Sequence, residues 1–251
     1  MIWASLGGMP VIVLLRHGLS SANVSGILAG RAPGVSLTDE GRRALRANLE
    51  LLPHRHFARL LHSPLQRCEE TAMVAAEVAE FDDIAVDDAV IELDYGEWTG
   101  RTLKELGREP LWKTVVTSAS QARFPGGESI TEAAYRSTAR VRDLVAQLRE
   151  EERADADLGA ASEPGTASES GNDAGKPAPP RWAMIVSHGD IIKAIIADAL
   201  GMPLDEFQRL SVAPGSFTVI DYSGDRPVLA AMSVTAAGLA QSAAVGGGGM
   251  R

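Results

Sequence analysis

Large apolar residues fall in short unbroken blocks, separated by stretches of helical period. Residues 11–15 are all aliphatic, and residues 182–186 repeat that pattern late in the chain. A strand buried on both faces of a parallel sheet reads this way, whereas a strand with one wet face alternates. Residues 59–62 predict a further strand, and residues 217–221 and 228–232 two late ones. Amphipathic stretches lie between them. Residues 38–52 predict a helix with Thr38 as N-cap and Pro53 as the stop. Ser63-Pro64 predicts another, to about residue 79, with Pro64 at the first helical position. Ser129 and Glu132 form a capping-box pattern ahead of a stripe of Ala134, Val141, Leu144, Val145 and Leu148. Residues 190–200 predict a helix closed by Gly201 and Pro203. Alternating strands and helices, without a solenoid repeat, predict an α/β fold with a mostly parallel sheet covered on both faces.

Residues 150–180 break the pattern. They hold almost no large apolar side chain, and eight acids (Glu150, Glu151, Glu152, Asp155, Asp157, Glu163, Glu169, Asp173) face two bases (Arg153, Lys176). That segment carries −6 of the net charge of −9. It cannot bury enough surface to offset its ordering entropy. We read it as a disordered acidic insertion within one domain spanning residues 9–235, because strand and helix patterns resume on both sides. An interdomain linker is the weaker alternative, since the chain after it is too short for a core of its own. Residues 237–251, with glycines at 246–249, read as a disordered tail. Residues 1–8 read as an N-terminal extension, with translation starting at Met1 or Met9.

With 251 residues and 45% hydrophobic content the chain can build a sizeable core. Its acidic balance argues against a nucleic-acid partner. No apolar run approaches the roughly 20 residues that span a bilayer, so no membrane partner is expected. Cys68 is the single cysteine, which excludes an internal disulfide framework and leaves no Cys-x-x-Cys pair for zinc. A reducing, cytoplasmic setting follows.

The informative feature is a repeated junction. Arg16-His17-Gly18 ends the first apolar block, and Ser187-His188-Gly189 ends the later one. Open parallel sheets bind ligands outside the carboxyl ends of their strands. If these strands are neighbours, both imidazoles face one crevice, and Gly18 and Gly189 let backbone N–H groups approach a ligand. A lone strand-end histidine is more often a satisfied structural residue; two at matching junctions, one beside Arg16, favour chemistry. The Arg16 guanidinium fork matches phosphate, and its charge opposes protonation of His17. An imidazole kept neutral can attack phosphorus. Arg67 would add a cation near a helix start, its bland alternative being an exposed helix arginine. Asn23 could donate its amide, unless it is a turn residue. Glu92, after the apolar residues 89–91, is placed to act as general acid and then base; Asp94 and Glu97 compete for that role on position alone. His54 and His56 have a metal-like spacing but no nearby partner, so neither metal nor cofactor is expected.

Six segments occur in order between about residues 11 and 222. They are Leu15-Arg16-His17-Gly18 with Asn23, Leu37-Thr38-Asp39-Glu40-Gly41, residues 63–72, residues 92–100, Phe124-Pro125-Gly126-Gly127-Glu128-Ser129, and Val186-Ser187-His188-Gly189. Together they resemble the histidine phosphatase superfamily, in its phosphoglycerate-mutase-like branch. The resemblance implies a three-layer α/β/α sandwich with a phosphate pocket at the strand ends and no metal. It implies that His17 is the phosphorylated histidine, Arg16, Arg67 and His188 the rest of the phosphate pocket, Asn23 a further contact and Glu92 the proton donor. Leu19 stands where the family often has Glu or another polar residue, and Pro214 where many members have Asn.

The acidic run after Glu92 (Asp94, Glu97) suits a phosphatase better than a mutase, which must hold a doubly phosphorylated intermediate. The expected activity is metal-independent hydrolysis of a small phosphorylated metabolite. A phosphoglycerate mutase-type phosphomutase is the runner-up. A catalytically silent phosphate-ligand binder is the third reading, disfavoured because His17, Arg67, Glu92 and His188 are all present. Cys68 lacks the Arg six residues on that a cysteine phosphatase uses, Val74 standing there, and reads as a packed helix residue. Lys104, Arg108, Trp112 and Lys113 form either a specificity wall or an ordinary amphipathic lid. The sequence is compatible with a homodimer without specifying one.

Overall fold

The computed structural model describes residues 10–161 and 181–238. Its strands are β1 (Val11–Arg16), β2 (His56–Phe57), β3 (Arg59–His62), β4 (Glu80–Phe81), β5 (Ile84–Val86), β6 (Trp182–Ser187), β7 (Phe217–Asp221) and β8 (Val228–Val234). Its helices are α1 (Ser21–Ser25), α2 (Asp39–Leu49), α3 (Gln66–Ala76), α4 (Leu103–Leu106), α5 (Pro110–Thr117), α6 (Ile130–Ala161) and α7 (Gly189–Ala199). Six strands form one sheet in the order β5-β3-β6-β1-β7-β8, and β2 pairs with β4 apart from it. β5, β3, β6 and β1 run parallel, while β7 and β8 are antiparallel additions.

Alternation along β1 sorts the layers. Ile12 and Leu14 face a core shared with α6 and α7 (Leu144, Leu148, Ile192, Ile195). Val11, Val13 and Leu15 face the opposite core, with Leu45 and Leu49 of α2 and Cys68, Ala72 and Ala75 of α3. Both faces of the central strands are therefore dry, which is why their sequences read as unbroken apolar blocks. The result is the expected α/β single domain with a mostly parallel central sheet flanked by helices.

Local signals fix several boundaries. Thr38 Oγ1 accepts from the Gly41 N–H (2.9 Å) and caps α2. Gly41 packs against the loop after His17, where a Cβ would lie 2.2 Å from the Leu19 carbonyl oxygen. Ser129 and Glu132 close a reciprocal capping box at the start of α6.

Two expectations are corrected. The helix after Ser63-Pro64 begins at Gln66, because Leu65 remains extended (φ −78°, ψ 136°) and residues 63–65 form the approach to the helix. Residues 150–161, read as the start of the disordered insertion, continue α6. The acids there have long-range partners: Glu152 Oε1 accepts from the Arg181 N–H (2.8 Å), and Glu151 pairs with Arg59 (2.7 Å) and Arg181 (3.2 Å). The rest of the insertion, residues 162–180, lies outside the described residues, as do residues 1–9 and 239–251. Among the described residues, no helix is long and apolar enough to cross a membrane.

Candidate active site

Register places Arg16 opposite Ser187, so His17 and His188 leave adjacent parallel strands side by side. Their ring centroids are 5.3 Å apart. The two histidines thus share one crevice at the strand ends, and both are buried.

His17 Nδ1 lies 2.8 Å from the Gly18 carbonyl oxygen. A carbonyl only accepts, so Nδ1 carries the proton and Nε2 holds the lone pair. The backbone around it is fixed on both sides. The His17 N–H donates to the Ser187 carbonyl (2.9 Å), and the Gly215 N–H donates to the His17 carbonyl (2.9 Å). The Gly18 N–H donates to Thr71 Oγ1 (3.0 Å), and that hydroxyl donates to the Arg67 carbonyl (2.6 Å). Gly18 therefore serves as the support that sets the His17 tautomer. Burial first, then the charges of Arg67 and Arg16, hold the His17 pKa well below its ordinary value of 6.5. The ring is a neutral imidazole with a free Nε2 lone pair, which is the form a nucleophile needs.

His188 is held the other way round. Arg67 Nη2 lies 3.2 Å from Nδ1, and a guanidinium only donates, so Nδ1 accepts. Nε2–H then donates to Ser63 Oγ (2.8 Å). Burial and Arg67 also push the His188 pKa well down. Arg67 donates further to the Gly30 carbonyl (2.8 Å), and Arg16 Nη1 to the Val212 carbonyl (2.6 Å). Both guanidiniums are buried. Cys68 Sγ sits 3.4 Å from His188 Nε2, and burial raises its thiol pKa to about 12, so it is a packed, neutral thiol.

Of the three carboxyls weighed for the proton donor, Glu92 is the one beside the imidazoles, with Oε2 3.8 Å from His188 Nδ1. Asp94 turns back to accept from the Gly96 N–H (3.0 Å), and Glu97 is exposed. Burial, then the charge of Asp190, raises the Glu92 pKa to about 7, against the opposing pull of Arg67. The Glu92 carbonyl accepts from Arg31 Nε (2.9 Å) and Arg136 Nη2 (3.2 Å). Both arginines also grip Glu128 Oε1 (3.0 and 2.8 Å), which accepts the Asp94 N–H as well (3.0 Å). Close approach makes this clamp fit: Gly96 has φ +52°, and a Cβ there would lie 2.1 Å from the Pro125 carbonyl oxygen.

The remaining predicted residues sit around this cluster. Ser20 caps α1, and Asn23 completes the capping box, its Oδ1 accepting from the Ser20 N–H (3.1 Å) and Ser20 Oγ (2.9 Å). Gly189 is buried at the first position of α7, whose N-terminal end carries partial positive charge. In the 103–121 segment, Trp112 stacks on Trp98 at 6.2 Å and belongs to the core margin. His54 stacks on Trp182, and His56 pairs with Asp82. Among the described residues, no group of three or more His, Cys, Asp or Glu could hold a metal ion. Sequence reasoning assigned no role to Ser63 or Thr71, although both lie in a segment it singled out. It also missed Arg31 and Arg136, whose only signal is contact across long sequence separations.

A sequence profile of the histidine phosphatase superfamily (branch 1) matches residues 12–154 and 172–235. The chain belongs to that superfamily. The chain is 34% identical over 147 residues to a bifunctional protein of Mycobacterium tuberculosis, covering 57% of this chain and 39% of that one. The match thus spans about two fifths of the length of the first curated relatives. It is 29% identical over 204 residues to the glucosyl-3-phosphoglycerate phosphatase of Mycolicibacterium vanbaalenii, covering 79% and 78% of the two chains. Among solved structures, mycobacterial hydrolase 1 matches this chain with a TM-score of 0.71 at 26% identity, over 90% of this chain and 99% of the other.

Proposed function

We propose that this histidine phosphatase hydrolyses a small phosphate monoester through a phosphohistidine at His17. One observation carries the reading: a neutral imidazole, its Nδ1–H fixed on the Gly18 carbonyl, presents its Nε2 lone pair among a second histidine and two buried guanidiniums. The Arg16 and Arg67 guanidiniums neutralise the phosphoryl oxygens, the neutral His188 ring beside them orients Arg67, and Gly189 at the helix start and the Asn23 amide are further contacts. In the first step Nε2 attacks phosphorus, the N–P bond forms, the ester P–O bond breaks, and the Glu92 carboxyl gives its proton to the departing oxygen. In the second, water attacks phosphorus and passes a proton to the Glu92 carboxylate. The N–P bond breaks, its electron pair returns to Nε2, and inorganic phosphate leaves.

The relatives named above support phosphate-ester chemistry, and the acidic segment after Glu92 favours water over a second phosphorylated hydroxyl as acceptor. The substrate is a small phosphorylated metabolite met in the cytoplasm; a twofold assembly is compatible with the reading. Rapid-quench labelling with a radiolabelled phosphate ester, in the presence of a chelator, tests it. An acid-labile phosphoenzyme that forms and decays at the rate of turnover is expected. No adduct, or activity only on adding a metal, overturns it. Phosphoglycerate isomerisation far outpacing hydrolysis would replace it with the mutase.

A further inference from the structure

A buried charge chain beside the reacting cluster has no part in those steps. Asp190, two residues after His188 in the first turn of α7, accepts from Tyr95 Oη (2.9 Å) and from Lys193 Nζ (2.7 Å). Lys193 also donates to Gln208 Oε1 (2.7 Å) and lies 4.9 Å over the Phe207 ring. Lys193 is 1% exposed and Tyr95 4%. A buried carboxylate–ammonium pair is weak evidence for stability, because desolvation offsets much of the attraction. Its position is therefore the informative part.

Tyr95 lies three residues after Glu92, so the Tyr95–Asp190 bond ties the proton donor's segment to α7, the helix that follows His188. The groups facing Glu92 come from three elements, Arg16 from β1, Arg67 from α3 and Asp190 from α7, with Tyr95 and His188 beside them. Two fixed cations would draw a carboxyl into an ion pair and leave it without a proton to give. A general acid here needs an opposing anion that stays ionised. Lys193 and Tyr95 supply the bonds that keep Asp190 in that state, against its own burial.

We propose that Asp190, anchored by Tyr95 and Lys193, is a positioning residue for Glu92: it holds that segment against His188 and offsets the two pocket guanidiniums, so that Glu92 donates a proton rather than forming an ion pair. The inference rests on the reading of Glu92 as proton donor.

The test compares Asp190→Asn with wild type on two esters, glycerol 2-phosphate, whose alkoxide needs a proton, and p-nitrophenyl phosphate, whose leaving group does not. Glu92 must be protonated to act, so wild-type kcat/KM on the glycerol ester holds at low pH and falls as pH rises through about 7. In Asp190→Asn that limb is expected to move down by about one pH unit or more, lowering the glycerol-ester rate at pH 7 by about fivefold or more, with less than about threefold change on the nitrophenyl ester. An unmoved limb, or equal losses on both esters, overturns the proposal. Glu92→Gln separates the two ideas. If it spares the glycerol ester, the proton-donor reading itself fails; if it removes that activity while Asp190→Asn leaves the limb in place, only the present inference fails. Should Asp190→Asn not fold, carboxyl NMR titration of wild type decides, with Glu92 assigned by the Gln variant. A midpoint near 7 supports the proposal, and one in the ordinary carboxylate range overturns it.

Discussion

The two strand ends carry nearly the same words, Arg-His-Gly and Ser-His-Gly, yet the protein uses them in opposite senses. At the end of β1, the His17 Nδ1 meets a carbonyl and must donate, which frees Nε2. At the end of β6, the His188 Nδ1 meets the Arg67 guanidinium and must accept, which commits Nε2–H to Ser63. Both rings are buried, both are held neutral, and they are near neighbours. Environment at large does not distinguish them. One hydrogen-bond partner at one ring nitrogen decides which imidazole keeps its outer lone pair free, as the proposed nucleophile must, and which is tied to α3.

The largest predicted effect splits the pair. His17→Ala is expected to remove turnover, by more than about 10⁴-fold in kcat, because no covalent intermediate can form. His188→Ala is expected to lower kcat by about 10²–10³-fold, because the Arg67 guanidinium loses the ring that orients it at the phosphoryl oxygens, while phosphate label still accumulates on His17. Peptide mapping of the quenched phosphoenzyme reads the difference. Label on residue 188 in the His17 variant would invert the comparison and the assignment with it.

How far this was legible depends on the range of each signal. β1 and β6 were readable because both their faces are dry, and the capping residues Thr38 and Ser129 because they act within one turn. The end of α6 was not: Glu151 and Glu152 are solvated acids by local pattern, and their partners Arg59 and Arg181 are far along the chain. The site divides in the same way. His17, His188, Arg16 and Arg67 announce themselves at strand ends and a helix start. Of Asp94, Glu97 and Glu92, position could not choose. The family resemblance pointed to Glu92, and the structure sets its carboxyl 3.8 Å from His188 Nδ1, on a segment that Arg31, Arg136 and Glu128 clamp across as many as 97 residues. The tautomers that separate the two histidines have no sequence signature, since a glycine follows each.

A smaller effect sharpens the comparison at its support. Ser63→Ala removes the oxygen acceptor for His188 Nε2–H, leaving the ring to Arg67 and the longer Cys68 contact. A loss of about 1–2 kcal/mol in transition-state stabilisation, roughly tenfold in kcat, is expected, with partial recovery in Ser63→Thr. KM should move less than kcat, because the ring is displaced rather than removed. A Ser63→Ala enzyme with full kcat would mean that Arg67 alone fixes His188.

The smallest effect tests the other junction. Thr71→Val leaves the Gly18 N–H, buried at the base of the crevice, without its oxygen partner. An unsatisfied buried amide costs about 1–3 kcal/mol, so the main consequence should be a lower unfolding temperature. The bond that sets the His17 tautomer runs to the Gly18 carbonyl, on the far side of the same residue, and survives the substitution. Turnover by the folded variant is therefore expected to fall only two- to threefold, about 0.5 kcal/mol. Thermal unfolding and kcat measured on one preparation separate the two quantities. A loss in kcat as large as that of Ser63→Ala, with an unchanged unfolding temperature, would show that the Thr71 bond governs the nucleophile directly and that the Gly18 carbonyl is not what sets the two histidines apart.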